Sequence, residues 1–401
     1  MAGIKTALVI GGGIAGPVTA LALRKAGIEA SVHEAYPTTA QGVGGVLMVA
    51  PNGLNALRIV GADDAVRAIG QSITRMVIAD GRGKQLGAFS GLAGVGPSVV
   101  LWRSELCHVL HEHAVAQGIS IEHGKQLTSV VERPDGITAR FADGSMASAD
   151  ILIGADGIHS TVRKLIDEHA PQPNYTGLLG FGGRAVGNSA AGQLGAMHFV
   201  DGKRAFLGHW AAPDGATMWF GSLPQREPMT VAQARAVSPQ HWLKVLHELY
   251  ADDIPACALI EHTTADALVV AGAGEILPTV PHWHRDRMVL VGDAAHAPSS
   301  SSGQGASLAM ESAVQLARCL RDLPDAPTAF AAYERLRRPR VEKVAADAAK
   351  TNARKASGPV ARALTGLLMP IAMKTFFTPQ KIFGSLHGYR IDWNDVITAV
   401  P

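Results

Sequence analysis

The chain opens on an apolar run at residues 7–10, followed by helically spaced apolar positions at 14–25 that end at Gly27. Run length and spacing predict a short buried parallel strand leading into an amphipathic helix. A second strand is expected at residues 30–33. Alternating residues at 137–141 with Asp143-Gly144 predict a hairpin, and the apolar run 151–153 predicts another buried strand. The last strand-to-helix passage runs from residues 288–291 across small residues into a helix over 306–320. Residues 175–279 read differently, as short alternating stretches broken by Asp-Gly turns, which predicts a mostly antiparallel sheet. After about residue 345 the pattern is helical, with Gly358-Pro359 and Pro370 as breaks.

At 401 residues the chain exceeds one typical domain. Forty-four glycines and only 5% aromatic residues suit an α/β protein with many tight strand-to-helix turns. The formal charge is +2 and basic residues are scattered, apart from Arg335, Arg337, Arg338 and Arg340, which argues against a nucleic-acid partner. Cys107, Cys257 and Cys319 form no CxxC pair, so neither a disulfide framework nor a zinc knuckle is indicated, and a reducing cytoplasm fits. The N-terminus reads as a first strand and not as a signal peptide. No stretch reaches the ~18 apolar residues that span a bilayer.

Between the first strand and helix lie Gly11, Gly13 and Gly16 in GxGxxG spacing, with Gly12, Ile14 and Ala15 among them. This is the dinucleotide fingerprint in its proper context. The first glycine makes a tight turn, the second admits a pyrophosphate to the backbone, and the third lets helix and strand pack closely. Glu34 follows the second strand, where an acid accepts hydrogen bonds from an adenosine ribose. The motif alone does not separate FAD from NAD. A second motif, Asp156-Gly157 with Ser160 and Arg163, has DGxxSxxR spacing, although a strand, turn and capped helix would produce the same pattern by themselves. In the third motif Gly292 turns the chain and Asp293 projects from a strand end, suited to the hydroxyls of a ribitol. Gly303, Gln304 and Gly305 then precede a helix beginning near Ala306. Its positive end can approach a flat ligand and stabilise negative charge by roughly 0.5 to 2 kcal/mol.

In this order, the three motifs make the chain resemble the single-component FAD-dependent monooxygenases, the group of para-hydroxybenzoate hydroxylase and the tetracycline-inactivating monooxygenases. The stretch LWRSEL around Arg103 and the arginine-rich YERLRRPRVEKV support the likeness. It implies a Rossmann-like FAD-binding domain interleaved with an antiparallel substrate domain, followed by C-terminal helices. The corresponding divisions are 1–76, 99–174 and 281–345 for FAD, 77–98 and 175–280 for substrate, and 346–401 for the helical end. Gly11 to Gly16 would hold the pyrophosphate, Glu34 the ribose, Arg103 the phosphate or ribitol region, and Asp293 the ribitol. Asp156 would support the pyrophosphate site, Val130 would meet adenine through its backbone, and Gly303 to Ala306 would meet the isoalloxazine edge. Many relatives have consecutive prolines and then an asparagine where this chain has Pro298, Ser299, Ser300 and Ser307, a departure bearing on the finer flavin contacts.

The activity so implied is hydroxylation or epoxidation of an electron-rich aromatic or polyketide-like molecule, with NAD(P)H and O2 as co-substrates and a flavin C4a-hydroperoxide as oxygen carrier. The implied assembly is a monomer or homodimer. One sheet face would cover the flavin, with Phe181, Arg184, His209, Trp210 and Trp219 as candidates for the substrate chamber. No catalytic side chain is assigned. His108, His111 and His113, and likewise His282 and His284, lack the spacing of metal ligands, so no metal is expected. A flavin-dependent halogenase shares the fingerprint but usually carries WxWxIP, whose nearest counterpart here is His282-Trp283-His284. A flavin-binding protein without turnover is the remaining alternative. The apolar segment 363–377 is too short to span a membrane and is expected to dock across the two lobes.

Overall fold

The computed structural model describes residues 3–39, 44–187, 192–355 and 379–398. The apolar segment 363–377 lies outside them. A six-stranded sheet has the order His284–Arg285, Met288–Leu290, Ile151–Gly154, Thr6–Ile10, Glu29–His33, Ser120–Glu122. All its pairings are parallel except that of the edge strand His284–Arg285. After Thr6 the first strand is apolar because the sheet is covered on both faces; Leu8, Val9 and Ile10 are at most 4% exposed. The helix Ala15–Lys25 follows the glycine turn, and the helix Gly305–Asp322 follows the third motif. These two helices pack against one another.

A seven-stranded sheet has the order Thr263–Ile276, Asn174–Ala185, Thr217–Pro224, Phe206–Ala211, Ala196–Asp201, Arg75–Asp80, Gln85–Ser90. It is antiparallel apart from the pairing of Ala196–Asp201 with Arg75–Asp80. The expected hairpin is present, as Gly136–Phe141 paired with Met146–Ala149, and joins Leu127–Arg133 in a third sheet. A fourth, small sheet aligns Ser98–Trp102 between Val46–Val49 and Gln71–Ile73.

One stretch departs from the sequence reading. Within residues 175–279, three helices interrupt the strands: Val231–Ala236, Pro239–Tyr250 and Ala256–Glu261. Trp242, Leu246 and Tyr250, spaced four apart, bury one helical face against Trp219, Phe181 and Leu207 on the back of the large sheet. Thr230 and Ser238 cap two of these helices by accepting the amides of Gln233 and His241. No helix among the described residues is long and apolar enough to cross a membrane.

Candidate cofactor and substrate site

An elongated cleft of about 3050 Å³ runs from the glycine turn to the large sheet. That is several times the roughly 300–1,000 Å³ of an ordinary small-molecule pocket, enough for an extended cofactor and a substrate together. It is lined by Gly11, Gly13, Ile14, Ala15 and Glu34, and by Arg103, Asp156, Asp293, Pro298 and Gly303 to Ala306. The structure therefore brings the three sequence motifs to one cavity.

Gly11 sits at φ +107°, and a Cβ there would lie 2.5 Å from the Ala155 carbonyl oxygen; one on Gly16 would overlap Gly11's own carbonyl. The turn is thus as tight as backbone atoms allow. Gly12 does not line the cleft, but its amide donates to Glu34 Oε2 at 2.5 Å, and the Tyr36 amide donates to Oε1 at 2.9 Å. The Glu34 carboxylate is fixed at the end of its strand with lone pairs to spare.

The helix Ala15–Lys25 begins at Ile14 and the helix Gly305–Asp322 begins at Gln304; neither start has a side-chain cap or an acid in its first turn. Both sets of first-turn amides are left for a ligand, and both starts line the same cleft. Gly292, at φ +65°, is wedged between the two helices, where a Cβ would stand 3.0 Å from that of Ala15 and 3.1 Å from that of Ala309. This turn delivers Asp293 into the cleft beside Arg103. Although the open cleft exposes it, Asp293 lies deep in the molecule; that depth pushes its carboxyl above the usual range, against the pull of Arg103. Arg103 starts the helix Arg103–Ala116, and a Cβ on Gly13 would lie 3.8 Å from its Nη2. Its guanidinium is half-buried and makes no hydrogen bond or ion pair among the described residues. A cation held between an open helix start and a carboxylate suits a ligand bearing both phosphate and hydroxyls.

Asp156 is used otherwise. It accepts Ser160 Oγ–H at 2.5 Å and the Thr161 and Val162 amides at 2.7 and 3.1 Å, capping the helix Thr161–Ile166. Burial pushes its carboxyl above the ordinary value, against these three donors. Arg163, wholly buried, donates to Ile158 O at 2.7 Å and to Ala294 O at 3.0 Å. The second motif therefore positions the third, because Arg163 ties its loop to the residue after Asp293.

A buried network sets Gln304. Asn52 donates to Gln304 Oε1 at 2.9 Å and to Glu311 Oε1 at 2.7 Å. Glu311 also receives Arg337 at 2.7 Å and Arg340 at 2.8 Å through each of two bonds. These arginines lie on the helix Ala326–Lys355, whose sequence was noted for its arginine run. Arg337 reaches Ser312 Oγ at 3.1 Å, which is hydrogen-bonded with His296 at 2.9 Å. Sequence reasoning missed Asn52 and Glu311, since partners separated by 259 residues leave no spacing signal.

Two groups of expected residues fall elsewhere. Val130 pairs with Ala139 and packs against the core instead of lining the cleft; Gln126 and Leu127, at the start of that strand, line it. The Lys125 amide bonds to Glu34 O at 2.8 Å and holds the strand's start, not its middle, beside the glycine turn. Of the chamber candidates, Phe181 and Trp219 face the helical layer behind the sheet, with Trp219 Nε1 donating to Thr263 at 2.9 Å. His209 is buried and stacks on His198; Arg184 pairs with Asp214 at 2.6 Å in solvent; Trp210 is buried beside Met197 without reaching the cleft. Sheet residues that do line the cleft include Met76, Ile78, Met197, Phe199, Phe220 and Ser222, which alternate along three strands with the inward set. The histidines also part ways: His111 meets His123 at 3.3 Å and His113 meets Val60 O.

Residues 5–348 match the family described as FAD binding domain. The chain belongs to this family, and it is an FAD-dependent monooxygenase by class. It is 32% identical over 338 residues to the aurachin C monooxygenase/isomerase of Stigmatella aurantiaca, covering 83% of this chain and 85% of that one. It is 30% identical over 360 residues to the FAD-dependent urate hydroxylase of Klebsiella pneumoniae, covering 86% and 88%. The crystal structure of Klebsiella pneumoniae HpxO complexed with FAD and uric acid superposes with a TM-score of 0.82 at 26% identity, covering 96% of each chain.

Proposed function

We propose that this enzyme uses NAD(P)H and O2 to hydroxylate or epoxidise an electron-rich aromatic or polyketide-like small molecule. The observation that carries the reading is the meeting of two uncapped helix starts, Arg103 and Asp293 in one cleft roofed by an apolar sheet face. FAD belongs along the parts contributed by residues 1–76, 99–174 and 281–345, with substrate beneath those of 77–98 and 175–280 together with Met76 of the same strand as residues 77–80. Its pyrophosphate fits the amides after Gly13 and the Arg103 guanidinium, its adenosine ribose Glu34, and its ribitol Asp293. The ring fits the start of the helix at Gly305, where first-turn amides favour the negative charge of a reduced pyrimidine edge.

When bound, FAD supplies the redox and oxygen chemistry, passing electrons from the nicotinamide to O2 and one oxygen atom to substrate. The chain's own residues bind, orient and keep water out. Met76, Ile78, Met197, Phe199 and Phe220 provide flat apolar contact for an aromatic ring, and Ser222 offers a hydroxyl to orient it. The relative named for urate supports a heteroaromatic substrate, since uric acid is one.

The test is to screen phenols and nitrogen heteroaromatics for stimulated NAD(P)H oxidation by the FAD-loaded enzyme under 18O2. One labelled oxygen in the product is expected. A chloride-dependent product would mean a halogenase, and absence of any stimulation would mean a flavin-binding protein without turnover.

A further inference from the structure

On the outer side of the substrate lobe, away from the cleft, Cys257 and Glu261 stand four residues apart on the helix Ala256–Glu261 and so share one face. His247, in the last turn of the helix Pro239–Tyr250, points at both. The distances are 3.0 Å for Nε2 to Glu261 Oε1, 3.7 Å for Cys257 Sγ to Nε2, and 3.7 Å for Sγ to Oε1. We propose that His247, Cys257 and Glu261 form a site for one thiophilic divalent cation of the zinc class.

Bond lengths of about 2.0–2.1 Å to nitrogen and oxygen and about 2.3 Å to sulfur place neighbouring ligands of a tetrahedral ion about 3.3 to 3.6 Å apart. The three edges here depart from those values by no more than about 0.3 Å, so side chains need only small adjustments. Charge agrees as well: a thiolate, a carboxylate and a neutral imidazole carry two negative charges, which a divalent ion cancels. A soft thiolate selects zinc over magnesium or calcium. Three protein ligands leave the fourth vertex for water. Without the ion, burial and then Glu261 push the Cys257 thiol up, so binding displaces its proton to solvent as the metal–sulfur bond forms.

The site lies behind a connection that lines the cleft. Residues 251–255 join the two helices, and Asp252 and Asp253 among them line the cleft. Asp252 pairs with Lys203 at 3.0 Å and Arg204 at 3.1 Å, and Asp253 accepts the Lys203 amide at 2.8 Å. A cation tying residue 247 to residues 257 and 261 clamps that connection from behind. The sequence shows only H-x9-C-x3-E, whose members lie on two helices and suggest no metal until the turn between them is known.

Full-length, FAD-loaded protein is stripped with chelator and titrated with Co²⁺, then with Zn²⁺. The expected result is one Co²⁺ per chain, a thiolate-to-cobalt charge-transfer band, tetrahedral d–d bands to the red of the flavin absorption, and their loss on adding Zn²⁺. Cys257→Ser should abolish the charge-transfer band, and His247→Ala should weaken Co²⁺ binding at least about tenfold, the scale even an outer-shell change reaches. FAD retention shows in each variant that the fold is intact. No thiolate band in the wild type, or a band that survives in Cys257→Ser, overturns the proposal.

Discussion

Asp293 and Arg103 both line the cleft, one an acceptor and one a donor without a hydrogen-bond or ion-pair partner among the described residues. A hydrogen bond to a charged group contributes about 1.5–3 kcal/mol, which is roughly a 10- to 100-fold change in affinity. Asp293→Ala is therefore expected to weaken FAD binding by that factor, read from fluorescence titration of apoprotein. An unchanged Kd would move the ribitol site elsewhere. At this scale the motif residues were legible because each glycine, acid or cap serves its own few neighbours. The substrate chamber was not, because Trp219 and Met218 differ by one position and face opposite sides of their strand. Only the packing of the finished sheet says which side meets the cleft.

Between elements, the helix Gly305–Asp322 is held by one carboxylate. Glu311 is 1% exposed and accepts from Arg337, Arg340 and Asn52, and its carboxyl is held low by these partners against the cost of burial. Removing it leaves a fully buried guanidinium uncompensated, at a cost of about 3–5 kcal/mol. Glu311→Ala should lower chemical-denaturation stability by that amount and loosen FAD with it, since Asn52 loses one of the two anchors that set Gln304. Stability within about 0.5 kcal/mol of wild type, the range of an ordinary surface change, would contradict this. Elements were readable wherever local periodicity decided them, as in the first strand and helix and the hairpin at Asp143-Gly144. The helices at 231–261 were overlooked inside an alternating context, although Trp242, Leu246 and Tyr250 carry the helical interval.

For the whole molecule, several buried histidines must stay neutral. Burial lowers His209 and His296 to about 3 and His387 to about 4, from an ordinary 6.5. The unfolded chain takes up these protons first as pH falls, so their contribution to stability is full above about 6.5 and is lost progressively below it. Asp156 and Asp293, shifted upward, offset part of this in the acid range. The melting temperature is expected to fall between pH 7 and 5, and to fall less steeply in His296→Gln, as followed by calorimetry. Equal slopes would show that His296 takes up its proton in the fold as readily as in the unfolded chain.

The most direct test is a crystal structure of the FAD complex. The expected density runs unbroken from Glu34, past Gly13 and Arg103, to Asp293, with the isoalloxazine at Gly303–Gly305 under Met197 and Phe220. FAD lying outside this cleft, or its ring turned away from the start of the helix at Gly305, would contradict the assignment.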